Sequence, residues 1–350
     1  AAGASGHAVR KRLGRRQPRF HRSGGWPVTA RVFAPGRVNL IGDHTDYMGG
    51  VVLPMAIQFG TTIVGTAGGG RLRMRSDRLD GVLDVPMPVT DPGSVQPSWG
   101  RYPAGVAALL GRTDGFDGEI VSDLPIGGGL SSSASLEVAT AHALGATGSP
   151  LDIARLCRAA EAAATGVPCG IMDQLAVAAG VEGHALLIDC ATEEVTPVPV
   201  PSAAAIWVVD SGQVRTLADS AYAERRAQAD AAAALVGPLP RASMASIASV
   251  ADSVLRARAR HVRTECDRVH AAAAALVAGD LVRVGELMVE SHVSLRDDFQ
   301  VSTPELDALV EDLVQTPGVH GARLTGAGFG GNVVALADDD ATVPGTRVHA

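Results

Sequence analysis

Apart from Lys11, the 350-residue chain contains no lysine. From residue 29 onward it therefore cannot supply a P-loop lysine, a Schiff-base lysine or a lysine general base. Any anion it handles must be held by arginine, by backbone N–H groups or by a metal. Aromatic residues are also scarce, at 3%, so the core must be built from Ala, Val and Leu. The four cysteines, Cys157, Cys169, Cys190 and Cys266, form no CxxC pair. Dispersed single cysteines fit a reducing compartment, and a cytoplasmic location is expected. No apolar run reaches the length of a membrane span and no secretory core opens the chain, so no membrane partner is expected. Acidic residues are missing from positions 1–28, which carry seven basic ones, leaving about −14 on the rest of a chain whose formal charge is −7. An acidic body lacks the basic face of a nucleic-acid binder. The basic stretch itself is expected to be a disordered, solvated arm.

What is present describes a globular protein, 46% hydrophobic and 19% charged, long enough for two lobes. Apolar β-branched runs predict strands near 31–34, 59–67, 117–122, 184–189, 205–209 and 332–336. Helical patterns fill 131–146, 151–165, 215–235, 251–278, 281–292 and 304–315. The two kinds of element do not alternate regularly, which favours α+β over a doubly wound sheet. The proline-dense run from Val195 to Pro201 excludes a helix or a central strand and is the best candidate for the crossing between lobes. The expected division is 1–28 as tail, 29–200 as one lobe and 201–350 as the other. Gly115 to Asp117 and Asp91 to Pro97 read as surface loops.

Between Gly36 and Gly50, Arg37, Asp43, His44 and Asp46 crowd among glycines. Such charge density is costly in a core, so the segment should line a polar cleft. Carboxylates and an imidazole suit a polyhydroxylated ligand, because ionised acceptors bind hydroxyls strongly; alone, the segment could equally be a polar surface turn. Residues 124–137 read Leu-Pro-Ile-Gly-Gly-Gly-Leu-Ser-Ser-Ser-Ala-Ser-Leu-Glu, where a strand runs through glycines into a helix. Glycine lets a phosphate approach the backbone, and the helix start presents N–H groups to it. The spacing is not GxGxxG, and a flexible linker would not be followed at once by an amphipathic helix containing Glu137. A third segment, Arg323-Leu324-Thr325-Gly326-Ala327-Gly328-Phe329-Gly330-Gly331, is a strand entering a tight glycine turn.

These three segments in this order resemble the GHMP small-molecule kinases and, within them, the galactokinase family. Val167 to Gln174, Arg260-His261-Val262 and Ser291 to Arg296 support the match, which spans roughly 31–337. The resemblance implies a two-lobed α+β fold with the site in the cleft: an amino-terminal lobe like ribosomal protein S5 domain 2 and a ferredoxin-like carboxy-terminal lobe. It implies ATP-dependent phosphorylation of the anomeric hydroxyl of galactose, with Mg2+, by a protein expected to be a monomer. A sister kinase for arabinose, galacturonate or N-acetylgalactosamine is the alternative, and an inactive sugar sensor ranks below both.

The resemblance also assigns residues. Asp173 and Arg37 match the catalytic pair. Asp43, His44, Thr45, Asp46, Gly170 and Tyr222, with Arg37 and Asp173, match the sugar contacts. Gly127, Gly128, Gly129, Leu130, Ser131, Ser132 and Ser133 match the ATP loop, and Ser133 and Glu161 the magnesium positions. Two departures stand out. Asp43 replaces the family's usual Glu, and Met48 replaces a usual Asn, which is expected to add apolar bulk beside the same pocket. A contact of this kind shifts sugar discrimination by about 1–3 kcal/mol.

Overall fold

The computed structural model describes residues 30–124, 129–166, 169–213 and 218–350. The basic stretch 1–28, Gly127 and Gly128 lie outside them. In chain order the elements are β1 (Ala30–Asn39), β2 (Val51–Val52), β3 (Pro54–Ala67), β4 (Arg71–Ser76), β5 (Val82–Pro86), α1 (Arg101–Leu109), β6 (Phe116–Ser122), α2 (Ser132–Ala143), α3 (Pro150–Thr165), α4 (Met172–Ala178), β7 (His184–Asp189) and β8 (Glu194–Pro199). There follow β9 (Ala204–Asp210), α5 (Ala218–Val236), α6 (Met244–Ala248), α7 (Ser253–Ala278), α8 (Leu281–Ser294), α9 (Pro304–Val314), β10 (Val319–Thr325), β11 (Asn332–Asp338) and β12 (Thr346–Val348).

The first half centres on a five-stranded sheet in the order β1-β3-β6-β4-β5, mixed because β4 and β6 run parallel. Its buried face, with Ile63, Leu72, Met74 and Phe116, meets α1, α2 and α3 through small side chains such as Ala107, Ala139 and Ala160. The shortage of aromatics is thus met by close helix packing. Local chemistry sets α3: Ser149 and Asp152 form a reciprocal capping box, Pro150 opens the first turn, and Gly166 ends the helix in the left-handed region. The second half is an antiparallel sheet, β10-β11-β9-β12, with α8 and α9 packed on β10. One apolar cluster joins the halves. Val38, Leu40 and Ile41, at and just beyond the end of β1, pack with Val269 and Leu276 of α7 and Val334 of β11. Each such fully buried side chain contributes about 1.5–3 kcal/mol, so the polar segment after Ile41 is anchored from both halves.

Several local expectations are corrected. Gly115 to Asp117 is not a surface loop: β6 begins at Phe116, which is buried. The proline-dense run is, as expected, neither a helix nor a central strand: it forms β8, at the edge of a three-stranded sheet ordered β2-β7-β8. Pro197 and Pro199 sit two apart, so their missing N–H groups fall on one side of the strand, and an edge can leave that side unpaired. The stretch from Asp91 to Pro97 is a loop, but it buries Pro92 and Val95. Helix α2 is not amphipathic: nine of its twelve residues are buried, Glu137 among them, because α1, α3, α4 and the sheet surround it.

Candidate active site

Arg37 is where the pieces meet. It lies near the end of β1, its backbone N–H bonded to the Leu130 carbonyl at 3.2 Å. Its guanidinium grips Asp173 with two bonds of 2.8 Å, Nε to Oδ1 and Nη2 to Oδ2, while Nη1 donates to the Gly129 carbonyl at 2.5 Å. Asp173 sits in the first turn of α4. Its Oδ2 also accepts from the Ser131 hydroxyl. Ser131 adopts φ 56°, outside the ordinary region for a side chain, immediately before α2. Arginine, aspartate and the serine loop are therefore one hydrogen-bonded unit. Arg37 is 6% exposed and Asp173 31%, so the carboxylate remains reachable.

Three cavities run through this unit. The first, of about 170 Å³, is lined by Arg37, Asp43, His44, Asp46, Tyr47, Asp173 and Tyr222, with Gly170, Gly326 and Ala327. Its chemistry is that of hydroxyl recognition. Burial, then the charge of Asp173, pushes the Asp46 carboxyl up to about 6. Burial holds His44 down to about 3, so its imidazole is neutral. Nδ1 of His44 shares a 3.0 Å hydrogen bond with the Tyr47 hydroxyl, and the buried ring faces the Ala327 backbone. Burial raises the Tyr222 phenol, which stays a donor, and its ring lies 5.7 Å from that of His44. Gly170 is dictated by contact: a Cβ there would stand 1.8 Å from Asp46 Oδ2.

The second cavity, of about 700 Å³, shares Arg37, Asp173, Gly326 and Ala327 with the first and extends along Gly129, Leu130, Ser131, Ser132 and Ser133. The third, of about 180 Å³, shares Ser132 and Ser133 with the second and is mainly apolar, with Trp99, Tyr102, Leu79 and Leu136. A polar chamber, a serine-lined cavity and an apolar slot thus adjoin through shared lining residues, with Arg37 and Asp173 at the first junction. Glu161 lies beside that junction. Ser133 and Cys169 direct hydrogen bonds at it, the thiol at 3.2 Å, and Gln174 Nε2 donates to it at 2.6 Å. Gln174 also donates to Glu137 at 3.1 Å. Among the described residues no three His, Cys, Asp or Glu side chains cluster for a metal, and no helix is long and apolar enough to cross a membrane.

Comparison with known proteins gives this arrangement its relatives. Residues 19–67 match the galactokinase galactose-binding signature, 101–181 the GHMP kinases N-terminal domain and 272–344 the GHMP kinases C-terminal model. The chain is 45% identical to a galactokinase of Canis lupus familiaris, over 87% of this chain and 83% of that protein. The chain belongs to the galactokinase family. A Homo sapiens galactokinase is 43% identical, with 89% of this chain and 84% of that protein covered. A crystal structure of Lactococcus lactis galactokinase complexed with galactose superposes with a TM-score of 0.83 at 34% identity, covering 89% of this chain and 86% of that one. Methanococcus jannaschii mevalonate kinase, at 20% identity and a TM-score of 0.66, shares the GHMP fold.

At three positions the structure differs from what the family resemblance implies. Asp43 lines the first cavity, yet both its oxygens are engaged: Oδ2 accepts from Arg323 at 2.5 Å and Oδ1 from the Gly326 N–H at 2.9 Å. Burial pushes its carboxyl up against the pull of Arg323, which is itself fully buried. Thr45 turns inward, donating to the Gly42 and Val51 carbonyls at 2.9 and 2.8 Å, and so shapes the loop rather than its exposed face. Met48 is absent from the cavity lining and packs against the apolar cluster of the second half. Trp99, Tyr102, Glu137 and Gln174 join the site only in the folded chain. Trp99 and Tyr102 flank the expected phosphate loop only in three dimensions. Gln174 was next to Asp173 in sequence, which was the available signal.

Proposed function

We propose that the three cavities hold galactose and ATP end to end, and that Arg37 and Asp173 serve the transfer of the γ-phosphoryl group to the anomeric hydroxyl. The reading rests on one observation: the first and second cavities share a wall, and the hydrogen-bonded Arg37–Asp173 pair is part of it. The nucleotide's base fits the apolar slot between Trp99 and Tyr102, and its phosphates follow Ser131 to Ser133. This direction puts the terminal phosphate beside Arg37.

In the reaction the sugar hydroxyl donates to Asp173, whose oxygens keep lone pairs beyond those used by Arg37 and Ser131. The hydroxyl oxygen forms a bond to the γ-phosphorus, the bond from that phosphorus to the β–γ bridging oxygen breaks, ADP departs, and the hydroxyl proton passes to Asp173 and from there to solvent. Arg37 compensates charge on the phosphoryl oxygens and fixes Asp173 in one orientation, as preorganised electrostatics requires. His44, Asp46, Tyr222 and the Gly170 backbone hold the sugar. Ser133 and Glu161 offer one hydroxyl and one carboxylate in contact with each other, an oxygen set suited to Mg2+, which otherwise keeps water and phosphate ligands. When bound, that ion would neutralise phosphate charge. A monomer in a reducing cytoplasm completes the reading, supported by the dispersed cysteines and the acidic body.

An ATP-consumption assay over galactose, arabinose, galacturonate, glucose and N-acetylgalactosamine tests it. Turnover with galactose is expected, and turnover with another sugar alone would overturn the substrate assignment. Asp173→Asn should lower kcat by about 10²–10⁴-fold while leaving ATP affinity nearly intact; a wild-type rate would remove Asp173 from the chemistry.

A further inference from the structure

Two sequence segments that support the family match have no part in the chemistry above: Arg260-His261-Val262 and Ser291 to Arg296. They lie on α7, and on α8 and the turn that follows it, and they meet beneath the loop that grips the sugar. His261, Glu265 and Ser291 are fully buried. His261 Nε2 lies 3.1 Å from the Asp43 carbonyl, and Nδ1 lies 2.8 Å from the Ser294 hydroxyl. A carbonyl only accepts, so Nε2 carries the proton and Nδ1 accepts from Ser294. Burial holds this histidine down to about 4, which keeps that arrangement over the physiological range. One turn further along α7, Glu265 Oε1 accepts the Gly42 N–H at 3.0 Å and the Ser291 hydroxyl at 2.5 Å, while Oε2 accepts from Arg268 Nε at 2.8 Å.

The loop these groups hold is conformationally demanding. Gly42 has φ 111°, and a Cβ there would stand 2.9 Å from both the Val51 oxygen and the Val52 Cα. His44, with φ 65°, holds a left-handed conformation unusual for a side chain. Its ring lies 4.6 Å from Phe299, whose own ring lies 4.7 Å from His261, so a stack runs from α7 to the cavity wall. The peptide before Gly42 and the peptide after Asp43 are thus each pinned by an α7 side chain, and the next residue is His44.

We propose that His261 and Glu265 are positioning residues for the sugar: by binding the Asp43 carbonyl and the Gly42 N–H, they hold the loop so that His44 and Asp46 face the first cavity. This rests on the reading of that cavity as the sugar site. Groups fixed before binding cost no ordering when the ligand arrives, so loss of either bond is read in sugar affinity, not in ATP affinity.

Glu265→Gln and Glu265→Met separate this role from simple burial. Both remove the charge opposite Arg268 at similar size, but only glutamine keeps an oxygen to accept the Gly42 N–H. An unmet buried N–H corresponds to roughly tenfold or more, so Glu265→Met should raise the sugar KM by at least about that factor. Its ATP KM should stay within about twofold, and Glu265→Gln should remain close to the parent protein. His261→Phe, which keeps a ring beside Phe299 and loses the donor, should also raise the sugar KM selectively, and it decides the matter where Glu265→Met does not fold. Equal effects of Gln and Met, an unchanged sugar KM in folded Met and Phe variants, or parallel changes for both substrates would overturn the proposal. Absence of sugar turnover and of calorimetric galactose binding in the unsubstituted chain would instead overturn the reading of the cavity.

Discussion

Replacing Glu137 with glutamine should stabilise the protein at neutral pH. Glu137 is fully buried, and among the described residues it has no cationic partner; its hydrogen-bond donor is the Gln174 amide. Among the described residues its Oε1 and the Gln174 Oε1 are buried without partners. Burial, then the charge of Glu161, pushes its carboxyl from 4.5 up to about 9. Between these values the folded protein keeps a proton that the unfolded chain has released. The unfolded state then binds fewer protons, so stability falls as pH rises through the window. At pH 7 the deficit spans roughly 2.5 pH units, or about 3 kcal/mol at 1.36 kcal/mol per unit. Glutamine does not titrate, keeps an oxygen for Gln174 and replaces the orphaned Glu137 oxygen with an N–H donor. Urea unfolding of the two proteins followed by circular dichroism at about pH 5, 7 and 8.5 measures the difference. The variant's advantage should be small at the acid end, near 3 kcal/mol at pH 7 and larger above it. A variant equal or inferior at pH 7, or a difference constant across the range, would show that Glu137 is ionised in the folded state and refute the reasoning.

Three other perturbations bear on the cavity. Since Asp46 is raised to about 6, kcat/KM for the sugar should fall as pH drops through that value, and Asp46→Asn should flatten this limb; a pH–rate profile with the limb intact in the variant would assign it elsewhere. Gly170→Ala places a methyl 1.8 Å from Asp46 Oδ2, displacing the carboxylate, and kcat/KM for the sugar should drop by about 10²-fold with calorimetric ATP binding unchanged. Asp43→Asn leaves the buried Arg323 without its counter-charge, so chemical denaturation should show a loss of about 3–5 kcal/mol; a loss far below this would mean that Arg323 is satisfied by the Asn39 and Leu40 carbonyls alone.

Elements with strong local signals were legible in the sequence. Helix α3 announces itself through Ser149, Pro150, Asp152 and Gly166, and β7 occupies the predicted 184–189. Strand β4 was readable but missed: in Arg-Leu-Arg-Met-Arg-Ser the alternate residues Leu72 and Met74 are buried and the arginines point outward. Helix α1 was hidden because Pro103 and Gly105 weaken its pattern. At the site, charge among glycines marked Arg37, Asp43, His44 and Asp46, and the glycines before a helix marked the serine loop, because such composition is costly anywhere but in a cleft; Asp173 was legible only through the family resemblance. The engagement of Asp43 by Arg323, 280 residues away, and the burial of Glu137 have no local trace. A pairing across the chain is a property of the assembled fold, and the regularity of a single helix face cannot reveal it.

The distance between Asp43 and Arg323 also governs when the ligand can matter during synthesis. Asp43 is made early, but the groups that set its loop, His261, Glu265 and Arg323, emerge in the last quarter or so of the chain. Contacts of such sequence separation form late, so a nascent first half lacks the bonds that set this loop, and on the proposed reading of the first cavity galactose should not act as its folding template. In the finished chain that loop is tied to the second half by these same bonds. Added galactose should therefore raise a single melting transition for the whole molecule rather than shift one half away from the other.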